Sequence, residues 1–217
     1  MRFRRTKLQP FASSLYNKAF FPERMQAMWS AISDLGDAAL TLPLSAVCCA
    51  WLVRSSPERR HAMSWLALLA AGMLVVGLTK ILYAGCGVQI RAIDFRVVSG
   101  HTMLASAVWP MALLLGLQWL RTDIALTAGL ALAALIGTAR VFDEAHTTSE
   151  VIAGWAVGTL VTLSFVRWKG TPAVSPRLWP YASVSLLAVL AIAYGRHAPI
   201  QSAIELYSPF LCRQLPW

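Results

Sequence analysis

Six long apolar stretches constrain the fold of this chain more than any other feature of its sequence. Each is about as long as the roughly 17–25 residues that an α-helix needs to cross the hydrocarbon core of a bilayer. They are continuous and rich in Ala and Leu rather than alternating, and backbone groups in lipid must bond internally, so helices are predicted and strands are not. The sequence therefore predicts an all-α polytopic membrane helix bundle of about six transmembrane helices, near residues 37–53, 62–83, 101–120, 123–140, 149–167 and 178–195.

The composition also favours a membrane protein. Hydrophobic residues make up 57% of the chain and charged residues 13%, whereas a soluble domain carries about 25% charged residues. The net charge of +9 comes from Arg and Lys spread between the apolar stretches, as in cations that flank membrane spans, and not from one basic domain. We therefore expect the bilayer as a partner and no nucleic acid.

One membrane domain with two flanking segments is predicted. Residues 1–36 form a basic arm, expected either on the bilayer surface or as a loosely ordered tail; residues 37–195 form the transmembrane domain, and residues 196–217 form a C-terminal tail. The connections alternate between two sides. Side A holds the arm, loops 84–100 and 141–148 and the tail, and side B holds loop 54–61, the turn at 121–122 and loop 168–177.

Polar residues gather at the side A ends of the predicted helices. Polar groups at membrane depth are costly and often functional. The set combines fixed positive charge with backbone N–H groups at a helix start, which attract an anion. A phosphate-sized anion site is therefore predicted, formed by Lys80, Ser99, Gly100, His101, Arg140, His146 and Glu150.

The two histidines of this set indicate more than binding. His146 and Glu150 are four residues apart, so we expect them to share one helical face, where the carboxylate orients the imidazole. His101 lies on another segment and can approach phosphorus from the opposite side, as in-line displacement requires. Singly, these residues have simpler interpretations, such as a helix cap for Ser99 or a snorkelling flank for Lys80.

The order and spacing of these residues resemble the type 2 phosphatidic acid phosphatase superfamily. That family has three blocks: Lys-x6-Arg-Pro, Pro-Ser-Gly-His and Ser-Arg-x5-His-x3-Asp. Here the blocks are 80–88, 98–101 and 139–150, and the resemblance covers roughly residues 30–167. The chain departs from the pattern at four places: Gly87-Val88 replaces Arg-Pro, Val98 replaces Pro, Ala139 replaces Ser, and Glu150 replaces Asp.

The resemblance implies a role for each matching residue. His146 would attack phosphorus and form a phosphohistidine, Glu150 would hold His146, and His101 would protonate the leaving alkoxide. No metal and no cofactor would be required. The oxygens of the phosphoryl group would be neutralised by Lys80, Ser99, Gly100 and Arg140, with Arg91 or Arg96 as candidates for the missing guanidinium.

The expected function is a metal-independent lipid phosphate phosphatase that hydrolyses a membrane phosphomonoester or pyrophosphate. A catalytically impaired lipid-phosphate-binding protein and a lipid phosphotransferase are the alternatives.

We expect a bacterial inner-membrane protein with the site facing the periplasm, because seven Arg and Lys lie on side B, although the arm places six cations on side A. In that compartment Cys86 and Cys212, both on side A, could pair as a disulfide; two free thiols are the alternative.

Overall fold

A computed structural model describes residues 23–55, 59–200 and 204 of the 217-residue chain. The described residues form no strand, and one isolated bridge joins Ile90 to Phe95. The prediction of an all-α polytopic membrane bundle is confirmed. The described helices are α1 (Glu23–Asp34), α2 (Ala38–Ser55), α3 (Arg60–Cys86), α4 (Gly100–Gly116), α5 (Thr122–Phe142), α6 (Thr148–Lys169) and α7 (Trp179–Ala193).

Helices α2 to α7 correspond one by one to the six apolar stretches. In the described part of the chain, four segments are long and apolar enough to cross a membrane: Glu23–Ser55, which joins α1 and α2, and helices α3, α5 and α6. Helices α4 and α7 are shorter apolar helices of 17 and 15 residues. The stretch predicted at 101–120 was too long, because α4 ends at Gly116 and Trp119 lies exposed in the following turn.

Helix α4 lies at the centre of the bundle and positions the site. Its residues from Thr102 to Gly116, except Leu113, are buried by packing against α2, α3, α5, α6 and α7. Its polar side chains bond internally, as an apolar surrounding requires: the Ser106 hydroxyl donates to the Thr102 carbonyl at 2.7 Å. The Thr162 hydroxyl of α6 donates to the Ser106 carbonyl at 2.9 Å.

Glycine lets α6 lie directly against the start of α4. A Cβ at Gly154 would come within 2.5 Å of the Ser99 carbonyl oxygen, so a larger residue would push the two helices apart. The absence of a side chain at Gly154 thus allows close helix packing, whereas Gly77 has nothing within 4 Å of a Cβ built there.

Part of the predicted N-terminal arm packs on the bundle. Helix α1 lies against α5, where the Trp29 ring stacks on Phe142 with centroids 4.5 Å apart. A short corner at residues 35–37 connects α1 to α2. Residues 1–22, which carry most of the arm's cations, lie outside the described residues.

Candidate active site

A cavity of about 610 Å³ opens where several helix ends meet. The end of α3, the loop after it, the first turn of α4, the last turn of α5 and the start of α6 supply its walls. The grouping of the side A loops 84–100 and 141–148 therefore agrees with the structure. The lining residues are Lys80, Tyr83, Ala84, Arg96, Val97, His101, Arg140, Ala145, His146 and Glu150.

His146 and Glu150 form a close buried pair. His146 Nδ1 lies 2.8 Å from Glu150 Oε2, and the two side chains are 9% and 1% exposed. The expectation of a shared helical face was wrong, because α6 begins at Thr148 and His146 lies in the turn before it. The contact forms because the Glu150 side chain points back across the first turn of the helix.

That backward direction is fixed by a capping box. Thr147 is the N-cap of α6, and its side chain accepts from the Glu150 N–H, while the Glu150 carboxylate accepts from the Thr147 N–H at 3.2 Å. Capping boxes use Glu or Gln at this third position. The capping box gives a physical reason for Glu150 where the family has Asp, and the Thr-x-x-Glu pattern before an apolar stretch was a sequence signal for it.

The second Glu150 oxygen holds the loop after α3. Oε1 accepts hydrogen bonds from the Arg96 N–H at 3.1 Å and from the Arg96 Nε–H at 3.2 Å. It also accepts from the Val97 N–H at 3.4 Å. The Arg96 guanidinium lies over the Tyr83 ring, 6.0 Å from its centroid. One carboxylate thus connects α6, His146 and a cation of the cavity wall.

Burial makes His146 a neutral imidazole at ordinary pH. Desolvation lowers the pKa of His146 to about 4; the hydrogen bond to Glu150 partly opposes this shift, and the charges of Arg140 and Lys80 add to it. A neutral imidazole keeps a lone pair on the nitrogen that is not bonded to Glu150. Since Nδ1 is held, Nε2 is the nitrogen suited to nucleophilic attack.

Arg140 and Lys80 supply positive charge to the cavity. Arg140 Nη1 donates to the Ser33 hydroxyl at 3.0 Å, while its buried Nε has no hydrogen-bond partner within the described part of the chain. The Arg140 carbonyl accepts from the His146 N–H at 3.2 Å, which turns the loop back over the site. An anion in the cavity would pair with these cations, as a buried guanidinium requires.

His101 has a carboxylate partner that the sequence reasoning missed. His101 Nε2 lies 3.4 Å from Asp37 Oδ2, with the side chains 27% and 8% exposed. Asp37 is the first residue of the apolar stretch predicted at 37–53 and was not among the predicted site residues. The contact joins two distant parts of the chain, and no local spacing in the sequence indicates it.

Three predicted site residues lie outside the wall of the large cavity. The Ser99 hydroxyl is buried and lies 3.0 Å from the Thr102 hydroxyl. Gly100 lines a smaller neighbouring cavity of about 150 Å³, which also borders Lys80 and His101. Arg91 is exposed in the short 3-10 turn Arg91–Ile93, so of the two candidate replacements for the missing guanidinium only Arg96 reaches the cavity.

The site chemistry suits an anion. Among residues 23–55, 59–200 and 204, no group of three or more His, Cys, Asp or Glu is placed to hold a metal ion.

Cys86, at the end of α3, is disulfide-bonded, while Cys48 and Cys49 are free thiols. The alternative of a free thiol at Cys86 is therefore wrong, and Cys212, with which it could pair, lies outside the described residues.

Known proteins resemble this chain in sequence and in fold. The family model of the PAP2 superfamily matches residues 83–172. The "uncharacterized 22.5 kDa protein in cps region" of Klebsiella pneumoniae is 33% identical over 184 residues, covering 81% of this chain and 88% of that protein.

A solved structure shares the fold. The transmembrane PAP2-type phosphatidylglycerolphosphate phosphatase from Bacillus subtilis superposes with a TM-score of 0.56 at 21% identity, covering 76% of this chain and 87% of that one. The family match confirms the resemblance noted in the sequence blocks. On the family match and the close relative together, the chain belongs to the PAP2 superfamily, the type 2 phosphatidic acid phosphatases.

Proposed function

We propose that this protein is a lipid phosphate phosphatase that works through a phosphohistidine and needs no metal ion. One observation carries the proposal: His101 and His146 line the same cavity together with Lys80 and Arg140. Two imidazoles beside fixed cations can carry out phosphoryl transfer. One imidazole acts as the nucleophile that attacks phosphorus, and the other acts as the general acid that protonates the leaving oxygen.

In the first step, cations hold the phosphoryl oxygens while His146 attacks. Lys80, Arg140 and Arg96 neutralise the charge that spreads over the oxygens in the transition state. The Nε2 lone pair of His146 forms the N–P bond as the bond from phosphorus to the leaving oxygen breaks. His101 transfers a proton to that oxygen, and the alcohol or phosphate product leaves.

In the second step, water completes the hydrolysis. His101, now neutral, accepts a proton from a water molecule that attacks phosphorus. The P–N bond breaks, and its electron pair returns to His146. Inorganic phosphate leaves, and both histidines are restored.

Apolar surroundings support a lipid as the carrier of the phosphate. The neighbouring 150 Å³ cavity shares Lys80 and His101 with the site and is otherwise lined largely by apolar side chains, including Met73, Val76, Met103 and Leu104. A chain attached to a bound phosphate would thus meet apolar surface beside the cations. Phosphatidic acid, phosphatidylglycerol phosphate and polyprenyl pyrophosphate are the candidate substrates.

We further propose that the site faces the periplasm from a bacterial inner membrane. Disulfides persist in the periplasm and are rare in the cytosol, and the disulfide-bonded Cys86 lies at the site end of α3. The cations of side B, which include Arg54, Arg121 and Arg167, suit the cytoplasmic side. Fusion of a reporter enzyme that is active only in the periplasm into loop 171–174 should give no signal if this orientation is right.

Phosphate release from a panel of the three lipids in detergent micelles tests the proposal. Wild-type protein should release phosphate from at least one of them, and His146→Ala should release none. Binding of the lipid without release would favour the lipid-phosphate-binding alternative. Transfer of the phosphoryl group to an added alcohol without free phosphate would favour a phosphotransferase.

A further inference from the structure

We propose that Asp37 is a positioning residue for His101, so that the site contains two imidazole–carboxylate pairs. This inference rests on the proposed function, in which His101 exchanges a proton with the leaving oxygen and then with water. Asp37 Oδ2 lies 3.4 Å from His101 Nε2, and its side chain is 8% exposed. A buried carboxylate is costly unless it is paired and hydrogen-bonded, and His101 is the partner that faces the cavity.

The corner that carries Asp37 is built against His101. A Cβ at Gly36 would lie 3.3 Å from both the Cβ and the carbonyl oxygen of His101, so the corner between α1 and α2 packs directly on this residue. Asp37 Oδ1 accepts from the Ala39 N–H at 2.7 Å and from the Ala198 N–H at 3.1 Å. These two hydrogen bonds fix the position of the carboxylate beside the His101 side chain.

The pairing determines which ring nitrogen does chemistry. With Nε2–H donating to Asp37, Nδ1 is the nitrogen of His101 that exchanges protons. The charged ring gives its Nδ1 proton to the leaving oxygen as the P–O bond breaks, and Nδ1 then takes a proton from the attacking water. His146 has the opposite arrangement, with Nδ1 held and Nε2 reacting.

The Asp37 carboxylate also offsets the positive charge that surrounds His101. Lys80 and Arg140 line the same cavity and repel a protonated imidazole, whereas an opposite charge close to the ring favours the charged form. Without Asp37, His101 would be a poor acid donor because its charged form would be too rarely populated.

A purely structural role for Asp37 makes a different prediction. Asp37 precedes α2 and bonds its first turn, and it lies 3.4 Å from Nδ1 of His197, a side chain that is 69% exposed. If capping α2 or holding the segment after α7 were its only role, Asn would suffice, because Asn caps helices as well as Asp does. Asp37→Asn thus keeps the shape and removes the charge.

The test compares two leaving groups in detergent micelles. For a phosphatidic acid substrate, whose alkoxide must be protonated, Asp37→Asn should lower kcat/KM about 10- to 100-fold. For p-nitrophenyl phosphate, whose nitrophenolate leaves without a proton, kcat/KM should change little. The double variant of Asp37→Asn with His101→Gln should be no slower than His101→Gln alone, because the two residues act as one unit.

Controls separate this inference from the proposed function. His197→Ala removes the other imidazole near Asp37 and should leave both substrates unaffected, and Asp37→Ser, which caps but is too short to reach His101, should reproduce the selective loss. Equal losses on both substrates, no loss on either, or an additive double variant would overturn the positioning role. A wild-type protein that releases no phosphate from any lipid would overturn the proposed function itself, and this inference with it.

Discussion

The two imidazole–carboxylate pairs at the cavity are built in opposite ways. Glu150 is local to His146, 1% exposed, and bonded through both oxygens to the helix start and to the loop after α3. Asp37 reaches His101 from a distant part of the chain, and His101 is 27% exposed against 9% for His146. The closed pair suits a proposed nucleophile that must hold one geometry. The more open pair suits a group that exchanges protons with a departing product and with water.

Substituting either histidine should give the largest losses of kcat, and the loss at His146 should exceed the loss at His101. His146→Ala should lower kcat by more than about 10⁴-fold, because no phosphoenzyme can form. His101→Ala should lower kcat on a lipid substrate by about 10²–10⁴-fold, the range of a general acid. Steady-state rates and trapping of the labelled phosphoenzyme measure both, and a phosphoenzyme in His146→Ala would refute the assignment.

Removing the buried carboxylate of the closed pair should affect folding as well as rate. Glu150→Ala should lower kcat by on the order of 10³-fold, because His146 loses its orienting partner, and should destabilise the fold by about 3 kcal/mol. Glu150→Gln is the matched control, since Gln also completes a capping box. It should keep the thermal unfolding midpoint close to wild type while activity falls, and equal destabilisation by both variants would contradict this account.

Neighbouring arginines of one loop allow the cation contribution to be measured. Arg96→Ala should lower kcat/KM about 10- to 100-fold, because it removes a charged hydrogen-bond donor from the cavity wall. Arg91→Ala should leave kcat/KM near wild type, because Arg91 is exposed outside the cavity. The reverse order would show that Arg91 supplies the missing guanidinium.

The smallest expected effect comes from the difference in the pKa of His146 between the folded and unfolded states. Its lowered pKa means that the ring stays neutral until about pH 4, so its NMR resonance, identified by its absence in His146→Ala, should titrate near pH 4. The unfolded ring titrates near 6.5. Because the unfolded state binds this proton first, acidification from pH 7 to 4 should destabilise the fold through this group. A midpoint above pH 6 would contradict the burial of His146.

The membrane helices and most of the cavity cations were predictable from the sequence. Apolar stretches of spanning length predict helices because lipid leaves the backbone no other partner, and Lys80 and Arg140 stand at their ends. The pairing of His146 with Glu150 was predictable because spacing of four residues is local. Its geometry was not, because the helix start was placed without its capping box.

Contacts between distant segments could not be predicted in the same way. Arg96 bonds to Glu150 across 54 residues, and the bond between Asp37 and the Ala198 N–H spans 161. Such contacts depend on how helices pack, which apolar patterning does not specify. Ser99 illustrates the same difficulty, since its motif position indicated a phosphate ligand while packing turned its hydroxyl toward Thr102.

The capping box links the start of α6 to the reactivity of His146. The carboxylate that closes the first turn of the helix is the same one that holds Nδ1 of His146. In a chain whose α6 has not yet formed, no carboxylate orients the His146 ring. The proposed attack of this histidine on phosphorus would then be slow. Under the proposed mechanism, newly inserted protein would acquire hydrolytic activity only after this turn has formed, so an immature copy would leave the surrounding lipids intact.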